Sequence, residues 1–140
     1  VEAGVRAVLR VAETHDGPVV VFGTRATVRS GIYGKLFRES FAAASAGNSE
    51  KPREVFEQAC PLLVPIIEEG WLHHPVLEAT LREYVGPYLG RTPGIALLAC
   101  THYPWIREAF ERALPGWAVV DSADAVASRL LEESAKLGLV

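Results

Sequence analysis

A parallel α/β domain is what this sequence predicts, on three observations. Short apolar runs recur at Pro18–Phe22, Ile95–Ala99 and Trp117–Val120, the pattern of strands buried on both faces. Between them lie longer stretches with apolar residues at helical spacing, so strands and helices alternate along the chain. With 140 residues, 49% of them hydrophobic, there is enough chain for one domain with a real core. The expected architecture is a three-layer α/β/α sandwich around a short parallel sheet, Rossmann-like in arrangement.

The elements follow in order. From Val1 to Thr14, apolar Val1, Val5, Val8, Leu9 and Ala12 alternate with charged residues at helical spacing, and His15-Asp16-Gly17 closes that helix. After the first strand, Thr24 is a natural N-cap for a helix through Phe37, with Val28, Ile32, Leu36 and Phe37 as its stripe. Gly31 and Gly34 each weaken that helix by about 1 kcal/mol relative to Ala, so it must be held by packing. Residues 42–52 are small and polar and predict a mobile loop. Glu54–Ala59 reads as a short strand leading into Cys60–Gly70, where Pro61 suits a first helical turn and Gly70 a helix end.

A helix is expected over Pro75–Leu89, with Val76, Leu77, Leu81, Tyr84, Val85 and Tyr88 inward. Another follows Pro104, burying Trp105, Ile106, Ala109, Phe110 and Ala113. Asp121-Ser122 can cap a closing helix bearing Val126, Ala127, Leu130 and Leu131, which divides the chain into residues 1–120 and a terminal helix at 121–140.

Composition removes several classes of function. A net charge of −3 leaves no basic footprint for nucleic acid. No apolar run approaches the length of a membrane span, and Val1 opens directly into an amphipathic pattern rather than a signal peptide, which favours the cytoplasm. Two cysteines make no disulfide framework and fit a reducing compartment as free thiols. A chain that begins with Val and contains no Met reads as a piece of something longer.

The chemistry concentrates in Leu98-Ala99-Cys100-Thr101-His102-Tyr103-Pro104, where a thiol, a hydroxyl and an imidazole follow one another as an apolar run stops. Ligands gather at the carboxyl ends of strands in open parallel sheets, and a helix starting there would favour an anion or a thiolate. By residue type alone, a cysteine in such a run packs more often than it reacts. Thr101 reads equally as an N-cap, His102 as a turn histidine, and Glu68 as a solvated carboxylate at a helix end. Cys60, ahead of Pro61 in an apolar segment, reads as packing. His73 and His74 lie near Glu69 and Glu78, but adjacent histidines seldom point at one ion and the cysteines lack zinc spacing, so no metal is expected.

Three ordered blocks carry a resemblance: Gly23-Thr24-Arg25-Ala26-Thr27-Val28-Arg29-Ser30-Gly31-Ile32-Tyr33, Ala59–Gly70 with its Cys-Pro-Leu-Leu-Val-Pro-Ile-Ile-Glu-Glu core, and Leu98–Pro104 with Cys-Thr-His-Tyr-Pro. In order and rough spacing they resemble bacterial glutamate racemases, over the carboxy-terminal half of that family only. The family's opening Asp-Ser-Gly segment and its Cys-Asn-Thr block have no counterpart. The resemblance implies a cofactor-free transfer of the α-proton that interconverts L- and D-glutamate for peptidoglycan. Two cysteines flank the α-carbon in that reaction, and Cys100 matches the one that deprotonates the L-isomer. It further implies that His102 assists the thiol, that Glu68 is a carboxylate near the site, and that Thr24 and Thr101 hydrogen-bond the substrate.

Three readings follow. The first is a racemase half lacking its other cysteine and therefore inactive alone, with the missing amino-terminal half as its partner. It is also a candidate to associate as a homodimer through its open cleft wall or last helix. The second is a catalytically silent module that holds an anion or a partner protein. The third, a cysteine hydrolase built on Cys100 and His102, lacks an identifiable orienting acid and an acyl-binding signature.

Overall fold

The computed structural model describes residues 1–46 and 52–136. Strands β1 (Val19–Gly23), β2 (Val55–Ala59), β3 (Ile95–Leu98) and β4 (Ala118–Asp121) form a sheet of order β2-β1-β3-β4 in which each neighbouring pair is parallel. The expected parallel α/β fold is present. β1 and β3 lie at the centre and are wholly buried, which is why their sequences read as unbroken apolar runs.

Successive side chains of a strand point to opposite faces, and the two halves of the core follow from that alternation. Val19, Val21, Ile95 and Leu97 face α1 (Glu2–Val11) and α3 (Ile32–Ala44), meeting Val5, Val8, Tyr33, Phe37 and Phe41. Val20, Phe22, Ala96 and Leu98 face the other layer, made of α4 (Leu63–Glu68), α5 (Pro75–Val85) and α6 (Arg107–Ala113). Each large apolar side chain buried this way contributes about 1.5–3 kcal/mol.

Several local expectations are corrected. The helix predicted through Gly31 is two helices, α2 (Arg25–Ser30) and α3, because Gly31 adopts φ 61°. That kink resets the helical phase. Tyr33, Gly34, Phe37 and Phe41 become the buried face, and Ile32 is exposed. Pro75 fixes the start of α5 so that Leu77, Leu81 and Val85 point inward, which leaves Val76 outside. A 3₁₀ turn at Tyr103–Ile106 precedes α6, buries Ile106 and turns Trp105 out to 73% exposure. Residues 42–44 of the expected loop are the last turn of α3, and residues 47–51 lie outside the described residues.

The closing helix α7 (Ser122–Lys136) lies against α1, but Val126, Leu130 and Leu131 are exposed rather than facing this core. Among the described residues no helix is long and apolar enough to cross a membrane.

The order of the strands positions the site. From β1 the chain crosses to β2 on one side and returns to β3 on the other, so the connections leaving β1 and β3 diverge. The crevice at the carboxyl ends of β1 and β3 is therefore the topological switch point, where open α/β sheets bind ligands.

Candidate active site

At that crevice β1 and β3 end side by side, the Ala99 N–H donating to the Phe22 carbonyl at 2.8 Å. Thr24 follows β1 and Cys100 follows β3, so two of the predicted residues flank the switch point.

Cys100 is half-buried, and its Sγ lies 4.0 Å from Nδ1 of His102. The other ring nitrogen, Nε2, is 3.4 Å from Oε1 of Glu68. Thiol, imidazole and carboxylate thus stand in a line, with one histidine nitrogen serving each neighbour. In the tautomer where Nε2–H donates to Glu68, Nδ1 is free to accept the thiol proton. The product is an imidazolium held between a thiolate and a carboxylate. This arrangement can take a proton from carbon or present sulfur as a nucleophile.

The three groups come from two segments. Glu68 ends α4, which is seated by buried Leu63 and Ile66 and stopped at Gly70, whose φ of 74° favours glycine. His102 sits in a turn in which the Tyr103 N–H donates to the Cys100 carbonyl at 3.1 Å and the Trp105 N–H to the His102 carbonyl at 3.2 Å. The side chains of Glu68 and His102 are 63% and 39% exposed, so solvent screens their attraction.

Thr24 caps α2 as predicted, its Oγ1 accepting from the Thr27 N–H at 3.2 Å and lying 3.0 Å from Thr27 Oγ1. Thr101 is exposed in the turn. The structure shows neither the N-cap nor the helix start expected there. Residues 103–106 form a 3₁₀ turn and α6 begins only at Arg107, so no α-helix opens at Cys100. Cys60 packs, as its apolar context predicted: it is fully buried, its Sγ donates to the Gln58 carbonyl at 3.6 Å, and burial, reinforced by Cys100, pushes its thiol well above the ordinary range. His74 accepts from the Val76 N–H at 3.1 Å as the cap of α5 and stacks on Trp71.

Sequence reasoning assigned no role to Thr27 or to the Tyr103 phenol. Thr27 lies three residues past Thr24, the spacing of an N-cap partner, which is a legible signal. Tyr103 is fully buried, and its hydroxyl donates to the Cys60 carbonyl at 3.1 Å across the sheet. That partner is 43 residues away, and no spacing rule reaches it.

A parallel sheet with thiol, imidazole and carboxylate at its switch point defines an α/β domain suited to proton transfer or nucleophilic chemistry at sulfur. Comparison with known proteins narrows the class. No family model matches the chain. It is 38% identical over 135 residues to the glutamate racemase of Chlorobaculum tepidum, covering 96% of this chain and 46% of that protein. It is 40% identical over 133 residues to the glutamate racemase of Syntrophus aciditrophicus, covering 94% and 45%. Among solved structures, glutamate racemase from Thermus thermophilus, in complex with β-chloro-D-alanine, superposes with a TM-score of 0.75 at 31% identity, over 100% of this chain and 46% of that one. By sequence and by fold the chain is similar to the glutamate racemases. It spans about half the length of the curated relatives it matches.

Proposed function

We propose that this chain is the carboxy-terminal half of a glutamate racemase and supplies one of its two proton-carrying cysteines, Cys100. The observation that carries the reading is the Cys100–His102–Glu68 line at the switch point, in a chain whose relatives are glutamate racemases.

In the forward direction the Cys100 thiolate removes the α-proton of L-glutamate, forming an S–H bond as the C–H bond breaks. The electron pair spreads into the substrate's α-carboxylate. A thiol on the opposite face, from the half not contained in this chain, then delivers a proton to carbon and leaves D-glutamate. No electrons are exchanged and no cofactor is needed. His102 takes the Cys100 proton before each forward cycle, and Glu68 stabilises the resulting imidazolium. Thr24 and Thr101 hydrogen-bond the substrate's carboxylates. The β-chloro-D-alanine bound to the Thermus thermophilus relative, an amino acid, agrees with an amino-acid substrate here.

Residues 1–120 form the catalytic half-domain in this reading. In this reading α7 packs on the other half, which would cover Val126, Leu130 and Leu131, 48–64% exposed here. The product serves peptidoglycan synthesis in the cytoplasm.

The test uses the protein extended by its amino-terminal half, followed by circular dichroism of glutamate. Cys100→Ser is expected to lower turnover by about a thousandfold or more, because a serine hydroxyl stays protonated near neutral pH and offers no base to replace the thiolate. Racemisation by that variant at the parent rate would refute the reading. The 140-residue chain alone is expected to racemise neither enantiomer efficiently, since one base does not serve both faces. Efficient turnover by it would show that the second base lies within this chain.

A further inference from the structure

We propose that the Tyr103 phenol is a positioning group that holds Glu68 against His102. This rests on reading Cys100, His102 and Glu68 as one proton-transfer chain. The contact between Glu68 and His102 is made by solvent-exposed side chains, and such pairs do not organise themselves. Their separation is set by the segments that carry them, the turn after β3 and helix α4 after β2. The two strands are not neighbours, for β1 lies between them.

One buried hydrogen bond spans that gap. Tyr103, the residue after His102, donates its hydroxyl to the carbonyl of Cys60 at 3.1 Å. The same carbonyl accepts the Leu63 N–H at 3.3 Å, the bond that begins the turn into α4. The phenol therefore grips α4 at its root, while Glu68 reaches back from its far end. Tyr103 is fully buried and its ring rests near Phe110, 6.1 Å between centroids, so the grip has no slack from side-chain rotation. Burial also pushes the phenol's pKa up, which keeps it a neutral donor through the whole working range. Tyr103 touches none of the reacting atoms in this account. It acts through the distance between two groups that do.

The test is a double-mutant cycle on the 140-residue chain. The readout is the rate at which iodoacetamide alkylates Cys100 at neutral pH, followed by mass spectrometry of the Cys100 peptide. Tyr103→Phe removes one oxygen and leaves the Cys60 carbonyl bonded to Leu63, so the fold is retained, with circular dichroism as the check. Tyr103→Phe is expected to slow alkylation about fivefold, the scale of one hydrogen bond. Glu68→Gln should slow it similarly, and the double variant no further than the slower single one. A merely structural tyrosine gives a different pattern. A folded Tyr103→Phe that reacts at the parent rate, or a double variant slowed by the product of the two single effects, would overturn the proposal. If Glu68→Gln itself reacts at the parent rate, the proton-transfer chain fails and the proposal with it. If Glu68→Gln is slow while Tyr103→Phe is not, only the role of the phenol is lost.

Discussion

Cys60 follows β2 and Cys100 follows β3, so each thiol stands at the carboxyl end of a parallel strand in the same sheet. Cys60 is sealed in the core beneath α4 and α5, donates to a backbone carbonyl, and is held in its neutral form by desolvation. Cys100 is half-buried beside an imidazole that is itself backed by a carboxylate. Residue type and strand end are shared, and surroundings differ. β2 is an edge strand whose end is roofed by the start of α4, whereas β3 borders the switch point, where diverging connections leave the strand end open. The contrast teaches that the topology of the sheet, more than the identity of the side chain, makes one sulfur structural and the other chemical.

That contrast can be broken most easily by asking which thiol reacts. Iodoacetamide near neutral pH is expected to modify Cys100 at least about a hundredfold faster than Cys60, because only an accessible thiolate is a nucleophile. Peptide mapping checks this, and comparable labelling of both in the folded chain would erase the distinction. Next in size, His102→Asn in the protein extended by its amino-terminal half should lower turnover by about tenfold to a hundredfold, the usual scale for losing a general acid or base. The two enantiomers are equal in energy, so kcat/KM must fall equally in both directions, which racemisation assays started from either enantiomer verify.

Cys60 sharpens the comparison through stability. Its thiol ionises above about 9 when the chain unfolds but stays protonated in the fold. The unfolded state then binds fewer protons than the native one, so stability is intact below that value and declines as pH rises past it. The decline from this group approaches about 1.4 kcal/mol per pH unit. Thermal melts between pH 8 and 10 should show a falling Tm, and Cys60→Ala should flatten the slope. The smallest effect expected is that of Cys60→Ala at neutral pH, about 1 kcal/mol lost to a small cavity, with Cys100 alkylation unchanged. A changed Cys100 rate would mean that the two thiols are not separable.

The central strands were legible because burial on both faces demands unbroken apolar residues, and Val19–Phe22 and Ile95–Leu98 supply them. Helix faces were less so. Val28, Ile32 and Leu36 make a plausible stripe on paper, but the positive φ at Gly31 rotates everything after it. Trp105 fits a helical pattern that the 3₁₀ turn interrupts. At the site, Cys100 and His102 lie two residues apart and announce themselves, whereas Glu68 stands 34 residues earlier in the chain, and only the resemblance to a family connected it to them. The Tyr103–Cys60 bond shows the same limit, since contacts made across a sheet depend on strand order, which local periodicity does not encode.

The most direct test of Cys100 as the base for the L-isomer follows deuterium rather than racemisation. The protein extended by its amino-terminal half, carrying Cys100→Ser, is incubated with L-glutamate in D₂O, and the recovered L-glutamate is read by NMR at its α-carbon. No deuterium is expected at that carbon above the level without protein, while the parent protein labels it readily. Deuterium entering L-glutamate at the parent rate in the variant would contradict Cys100 as that base.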